Sequence, residues 1–177
     1  MKPKSLIVLK ITLTIALVMY LVWASLYGSN SGVLREVEQL GIVGSLITLA
    51  AFFILVAFYC RDLQKLLEYI DSKNRVSKPK SVWLMFLIPY NFVEDFFIIF
   101  NIYKSLSLQS QTTPELQNFS SFGLYSGLGW CTAQIGSFAP GYWGQSSSLI
   151  AIVLWVFHWR LIRRIKSMLS QLPNKGI

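Results

Sequence analysis

Residues 83–104, WLMFLIPYNFVEDFFIIFNIYK, decide how many times this chain is predicted to cross a membrane. The stretch is apolar enough to enter a membrane, yet it contains Pro89 and the adjacent acids Glu94 and Asp95. A carboxylate at the centre of a bilayer costs at least about 2.5–3.5 kcal/mol on insertion scales, unless it is protonated or paired. The stretch therefore either holds a functional site inside a membrane or does not cross one.

The composition of the chain indicates that lipid surrounds much of it. Of its 177 residues, 54% are hydrophobic and only 14% are charged, whereas soluble domains carry about 25% charged residues. The apolar residues form long runs that predict membrane-crossing helices at about 6–27, 40–60, 121–140 and 147–163. The first run has a basic flank and no clean cleavage site, which is typical of a retained signal anchor.

The net charge of +8 is placed beside these runs, in a linker at 61–80 and a C-terminal tail at 160–177. Membrane proteins keep basic residues there to set orientation, and the placement argues against nucleic acid as a partner. The tail predicts a contact with anionic lipid through four residues: Arg160, Arg163, Arg164 and Lys166.

Basic residues also set the number of crossings. The four runs and the opening stretch make five apolar segments, and five crossings would leave the basic tail outside the cell, against the positive-inside rule. Four crossings place both termini in the cytoplasm. Charge alone leaves open whether segment 82–103 or segment 121–140 fails to cross.

The pattern of polar residues favours the opening segment as the one that does not cross. Asn91, Glu94, Asp95 and Asn101 fall in one stripe at helical period, and Pro89 breaks any helix that passes through it. We therefore predict an all-α polytopic membrane protein with four transmembrane helices. Residues 82–109 form a re-entrant or amphipathic interfacial segment whose stripe faces water. The alternative is a kinked crossing helix whose acids face the interior of the bundle.

Small residues in the run at 121–140 predict close helix packing. Gly123, Gly127 and Gly129 lie in an uncharged segment, and close approach of helix backbones in membranes uses residues of this size. A phosphate-binding loop would need a Lys-Ser or Lys-Thr ending, which this segment lacks.

The remaining reactive residues predict no cofactor, no metal and no catalytic group. Cys60 and Cys131 lie in or beside apolar runs and are expected to be buried thiols. His158, the only histidine, has too few companions for a haem or metal site and is expected at the interface beside Trp159. Lys10 is expected to extend to the headgroups.

Two motifs carry a resemblance. The pattern W-L-x-x-L-I-P-x-N resembles one found in small bacterial multi-span inner-membrane proteins, a group without an assigned function. So does F-G-L-x-x-G-L-G-W-C, followed by the ending W-V-F-H-W-R-L-I-R-R-I-K. The resemblance covers about half of the chain, from Trp83 onward, and implies bacterial origin and architecture.

The sequence thus predicts a non-catalytic membrane protein, an accessory subunit or assembly partner of a larger bacterial membrane complex. Its partners would be membrane lipids and other integral membrane subunits. One alternative is a small proton or cation transporter that uses Glu94 and Asp95. A second is a membrane enzyme that acts on lipid.

Overall fold

The protein is described here by a computed structural model that covers residues 3–27, 39–119 and 121–172. Within these ranges the chain is all-helical, as predicted. Its α-helices are α1 (Pro3–Tyr27), α2 (Gly41–Tyr69), α3 (Asn91–Ser110), α4 (Leu124–Gly136) and α5 (Tyr142–Gln171). Short 3-10 helices lie at Ser72–Asn74, Pro79–Phe86 and Pro114–Asn118. The last five residues of the predicted tail lie outside the described residues.

Two of the helices are long and apolar enough to cross a membrane. They are α1, over Lys4–Trp23, and α2, with mean hydropathies of 2.3 and 2.5. Only 6% of each apolar window is buried inside the chain, whereas a core helix of a soluble protein would be mostly buried. Helices α4 and α5 do not reach the same combination of length and hydropathy. The four predicted crossings are therefore supported for two helices.

Burial divides α2 and α5 into two halves each. Large apolar side chains of α2 are exposed from Ile42 to Phe58, and the buried part of the helix begins at Tyr59. Helix α5 exposes apolar side chains from Tyr142 to Phe157 and then buries residues such as Ile162. The second halves build a tightly packed core, whereas the first halves present apolar surface.

The two long helices run in parallel. Phe52 of α2 lies 6.5 Å from Trp155 of α5 between ring centroids, and Tyr59 lies 5.8 Å from Trp159. Because both partners advance along the chain together, the buried halves of α2 and α5 lie at the same end of the molecule. We call this end the core end.

Helices α4 and α5 form an antiparallel hairpin. A Cβ atom added at Gly136 would lie 3.0 Å from Ser147 Oγ, and one at Gly129 would lie 3.0 Å from Leu154 Cδ1. The residue numbers rise on one helix as they fall on the other. The N-terminus of α4 therefore lies at the core end, and residues 137–141 turn the chain at the opposite end.

Helix α3 begins directly after Pro89, as the sequence predicted. Its first turn lies beside Phe52 and Val56 of α2, and its last turn reaches Asp71. It is thus parallel to the second half of α2. The fully buried aliphatic side chains of the core come from α2, α3, α5 and the segment before α4: Leu63, Leu66, Leu67, Ile70, Ile99, Ile102, Leu106, Leu116, Ile162 and Ile165.

Candidate functional site

The polar stripe of α3 lies largely inside the protein, so the expectation that it faces water is wrong. Asn91, Glu94 and Asp95 are only 7%, 4% and 2% exposed, and Asn101 is half-buried. The physical reason is that α4, the 3-10 helix Pro79–Phe86 and α1 pack against α3, and Lys10 of α1 reaches Glu94. The alternative that the sequence left open, acids facing the bundle interior, describes the observed burial.

The C-terminal end of the stripe hydrogen-bonds the basic linker to the core. Gln109 Oε1 accepts hydrogen bonds from the backbone N–H of Asp71 at 3.1 Å and from Asn74 Nδ2 at 2.8 Å. Ser105 Oγ accepts one from the backbone N–H of Val76 at 2.9 Å. These buried groups are satisfied by the protein itself, as stable folding requires, and this part of the stripe has a structural role.

The N-terminal end of the stripe forms an ion pair with α1, a helix far away in sequence. Lys10 Nζ of α1 lies 2.5 Å from Glu94 Oε2, and the two side chains are 12% and 6% exposed. The same ammonium lies 4.4 Å from the centre of the Phe97 ring, a cation–π contact. The expectation that Lys10 extends to the headgroups is therefore wrong, because a buried carboxylate in reach provides a stronger partner than an interface.

Local structure adds two interactions to the Glu94 carboxylate. Glu94 lies in the first turn of α3, where the helix dipole stabilises negative charge. Tyr90, directly before the helix, hydrogen-bonds its carboxylate. Burial, with the adjacent Glu94, raises the pKa of the Tyr90 hydroxyl to about 12, so Tyr90 remains a donor.

Asp95 faces a different environment although it adjoins Glu94. Consecutive helical residues point about 100° apart, so Asp95 shares a face with Asn91 rather than with Glu94. Burial, together with the neighbouring Glu94 carboxylate, raises the pKa of Asp95 well above its usual range. Its Oδ1 atom is buried and has no protein hydrogen-bond partner in the described part of the chain.

A small cavity lies in front of Asp95 at the junction of four helices. Its volume is about 30 Å³, and a single water needs roughly 10–15 Å³. Aromatic and aliphatic side chains form most of its wall, while polar atoms come from α2, α3, α4 and α5. The lining residues that carry polar side-chain atoms are Tyr59, Asn91, Asp95, Gln134 and Trp155.

This arrangement combines an ion pair with a buried carboxyl group. Within the described residues, no group of three or more His, Cys, Asp or Glu side chains is placed to hold a metal ion. Cys60 and Cys131 are free and buried, as predicted. The distinctive chemistry of the site is therefore a neutralised Lys10–Glu94 pair beside a carboxyl group, Asp95, that favours its protonated form.

His158 is buried in the helix hairpin rather than placed at an interface, so that expectation is wrong. It is 1% exposed, and Nδ1 lies 3.0 Å from the carbonyl oxygen of Gly123 and 3.1 Å from Ser126 Oγ. Since a carbonyl only accepts, Nδ1 carries the proton. The ring fits against two glycines, because a Cβ atom at Gly123 or Gly127 would come within 3.0 Å of it.

The basic residues of α5 divide into two groups. Arg160 and Arg164 are exposed, whereas Lys166 and Arg163 pair with Asp62 of α2. Trp159 Nε1 donates a hydrogen bond to the same carboxylate at 2.7 Å. Lys166 is thus occupied within the protein rather than free to contact lipid, because the parallel packing of α2 and α5 brings Asp62 to its side chain.

Comparison with protein families, curated proteins and solved structures finds no match to this chain. The likeness to small bacterial inner-membrane proteins thus rests on its motifs alone.

Sequence reasoning missed three residues of this site: Lys10, Tyr59 and Trp155. A signal for Lys10 was present, because a lone lysine inside an apolar run calls for a buried counter-charge elsewhere. Tyr59 and Trp155 gave no such signal, since aromatic residues at the end of an apolar run are equally typical of an interface.

Proposed function

We propose that this chain is a four-crossing protein of the bacterial inner membrane whose core end lies on the cytoplasmic side. In this arrangement α1, α2, α4 and α5 cross, and α3 runs from the depth of Phe52 and Val56 back to the cytoplasmic side without crossing. The exposed apolar part of α2, residues 42–58, is about 25 Å long at 1.5 Å per residue. That of α5, residues 142–157, is about 24 Å. Both lengths approach the roughly 30 Å of a bilayer core.

The positions of charged residues support this orientation. Arg61, Lys65, Lys104, Arg160 and Arg164 are exposed and lie in the parts of α2, α3 and α5 that belong to the core end. The opposite end presents Tyr142 and Trp143, which are 87% and 81% exposed. Basic residues on the cytoplasmic side and aromatic residues at an interface are the usual placement.

Within that frame, we propose a non-catalytic role as an accessory subunit or assembly partner of a larger membrane complex. The observation that carries this proposal is the loose attachment of α1. Among the large apolar side chains of α1 whose burial the structure describes, only Leu17 is buried, and Lys10 joins the helix to α3 by an ion pair. Helix α1 therefore offers most of its length to a helix of another protein.

Site-specific photo-crosslinking in native membranes tests the subunit role. Met19 is 68% exposed and lies about 180° around the helix from Lys10. Thr14, on the Lys10 face, is the matched control. A photo-crosslinker at Met19 should give one discrete protein adduct that also co-purifies stoichiometrically in mild detergent, and one at Thr14 should react within the chain. A monomeric protein whose Met19 crosslinker reacts only with lipid would contradict the proposal.

A proton or cation transporter remains the second candidate, and Asp95 is the observation that favours it. A buried carboxyl with a raised pKa is a usual element of proton relays in membrane proteins. Transport predicts that Asp95→Asn abolishes proton or cation flux in liposomes. The control is Gln64→Ala, at a half-buried position in the second half of α2, and it should leave the flux unchanged. Equal flux in Asp95→Asn and wild-type liposomes would exclude this role.

A further inference from the structure

We propose that the cavity in front of Asp95 is a binding site for one water molecule. Four atoms would hold this water: Tyr59 Oη, Asn91 Oδ1, Asp95 Oδ1 and Trp155 Nε1. The inference is independent of whether the chain is an accessory subunit or a transporter, because it concerns how the buried polar atoms of the fold are satisfied.

The four atoms share two properties. Each is buried, and none has a protein hydrogen-bond partner among the residues that the structure describes. The residues that carry them also line the same cavity of about 30 Å³. Buried polar atoms in stable proteins are almost always hydrogen-bonded to protein or water, so four such atoms around one cavity of this size indicate a shared partner.

The donors and acceptors match a water molecule. Asn91 Oδ1 and Asp95 Oδ1 accept, and the Trp155 indole N–H can only donate. The Tyr59 hydroxyl can donate as well. One water can donate to both acceptors and accept from both donors, which completes its four hydrogen bonds. A bound sodium ion would instead face the positive end of the Trp155 N–H.

The packing around the cavity favours a single, slowly exchanging water. Tyr59 contacts Trp130 and Trp155 edge to face, at ring centroid distances of 5.7 and 5.9 Å. These rings separate the cavity from neighbouring apolar surface. Gln134 is half-buried and lines the same cavity.

A water at this position would give Asp95 a proton-exchange partner that the protein does not provide. Glu94 is held by Lys10, and Asn91 has no acidic proton.

Nuclear magnetic resonance of the full chain in nanodiscs tests the proposal. Tryptophan is labelled with ¹⁵N, and the Trp155 indole resonance is assigned with Trp155→Phe. The Trp155 N–H should show a cross-peak from a long-lived water. The Trp159 indole is the matched control, since it donates to Asp62 Oδ2 at 2.7 Å and should show no such cross-peak.

Substitutions at Asp95 make the test specific. Asp95→Asn keeps an acceptor oxygen and should keep the cross-peak, whereas Asp95→Leu should remove it. Replacing sodium chloride by choline chloride should leave the Trp155 resonance in place. Absence of the cross-peak in both wild type and Asp95→Asn overturns the proposal. A Trp155 shift that saturates with sodium also overturns it, since the site would then bind a cation.

Discussion

Lys10 of α1 and Glu94 of α3 form an ion pair of 2.5 Å across 84 residues of sequence, and both side chains are almost buried. This pair is the main polar attachment of α1 to the rest of the described fold. It neutralises one of the two adjacent acids, which explains how the first turn of α3 tolerates them in an apolar setting. Asp95 is left as a buried carboxyl whose pKa is raised by burial and by Glu94.

The first prediction concerns this ion pair. Lys10→Met leaves Glu94 buried without its counter-charge, and loss of one partner of a buried pair costs about 3–5 kcal/mol of unfolding free energy. Glu94→Gln should destabilise similarly, whereas the double variant should recover most of the loss, because no charge is then unpaired. Unfolding in mixed micelles measures the coupling. Additive effects of the two substitutions would show that the pair does not act as a unit.

The second prediction concerns the contact between α4 and α3. A Cβ atom at Gly127 would lie 2.6 Å from Ile99 Cγ2, and the β-branched Ile99 cannot easily move. Gly127→Ala should therefore destabilise by about 1–3 kcal/mol, the usual cost of overpacking. Gly129→Ala is the matched control, since its nearest neighbour is the flexible end of Leu154 at 3.0 Å. Thermal unfolding should separate the two variants, and equal midpoints would contradict this account.

The sequence predicted helices better than it predicted what covers them. Pro89 and the helical period of Asn91, Glu94 and Asp95 located α3 and its polar face correctly. The period alone cannot tell a stripe that faces water from one that faces other helices. That distinction depends on Lys10 and on the packing of α4 and the segment Pro79–Phe86 against α3, which are tertiary relationships.

The third prediction concerns topology. In the four-crossing arrangement, Lys104 and Gln117 lie at the cytoplasmic core end and Tyr142 lies at the opposite interface. All three side chains are exposed, and the native thiols Cys60 and Cys131 are buried. Lys104→Cys and Gln117→Cys should react with a membrane-impermeant maleimide only after the cytoplasmic side is opened. Tyr142→Cys should react in intact cells. Reaction of Lys104→Cys in intact cells would show that α3 crosses.

The fourth prediction concerns the carboxylate that joins α2 to α5. Asp62 accepts a hydrogen bond from Trp159 and pairs with Lys166 and Arg163. Asp62→Asn weakens these charge-assisted contacts and should destabilise by about 1.5–3 kcal/mol, the range for hydrogen bonds to charged groups. Glu68→Gln is the control, because Glu68 is exposed and its carboxylate accepts a described hydrogen bond only from Gln64 of its own helix. A chemical unfolding series should rank the two substitutions in that order.

The last prediction concerns pH and Asp95. Burial and Glu94 raise the folded-state pKa of this carboxyl above its value in the unfolded chain, which is about 3.9. In the pH window between those two values the folded state binds more protons than the unfolded state. Stability should therefore fall as pH rises through it, by up to about 1.4 kcal/mol per pH unit.

Asp95→Asn removes this titration while preserving the shape of the side chain. The stability of wild type relative to Asp95→Asn should decline as pH rises above the usual aspartate pKa of about 3.9, until the folded-state pKa of Asp95 is passed. Glu115→Gln, at an exposed position, should parallel wild type. Unfolding free energies measured across this range give both comparisons. A wild-type curve parallel to that of Asp95→Asn would mean that Asp95 is already ionised in the folded protein, held by contacts that outweigh its burial.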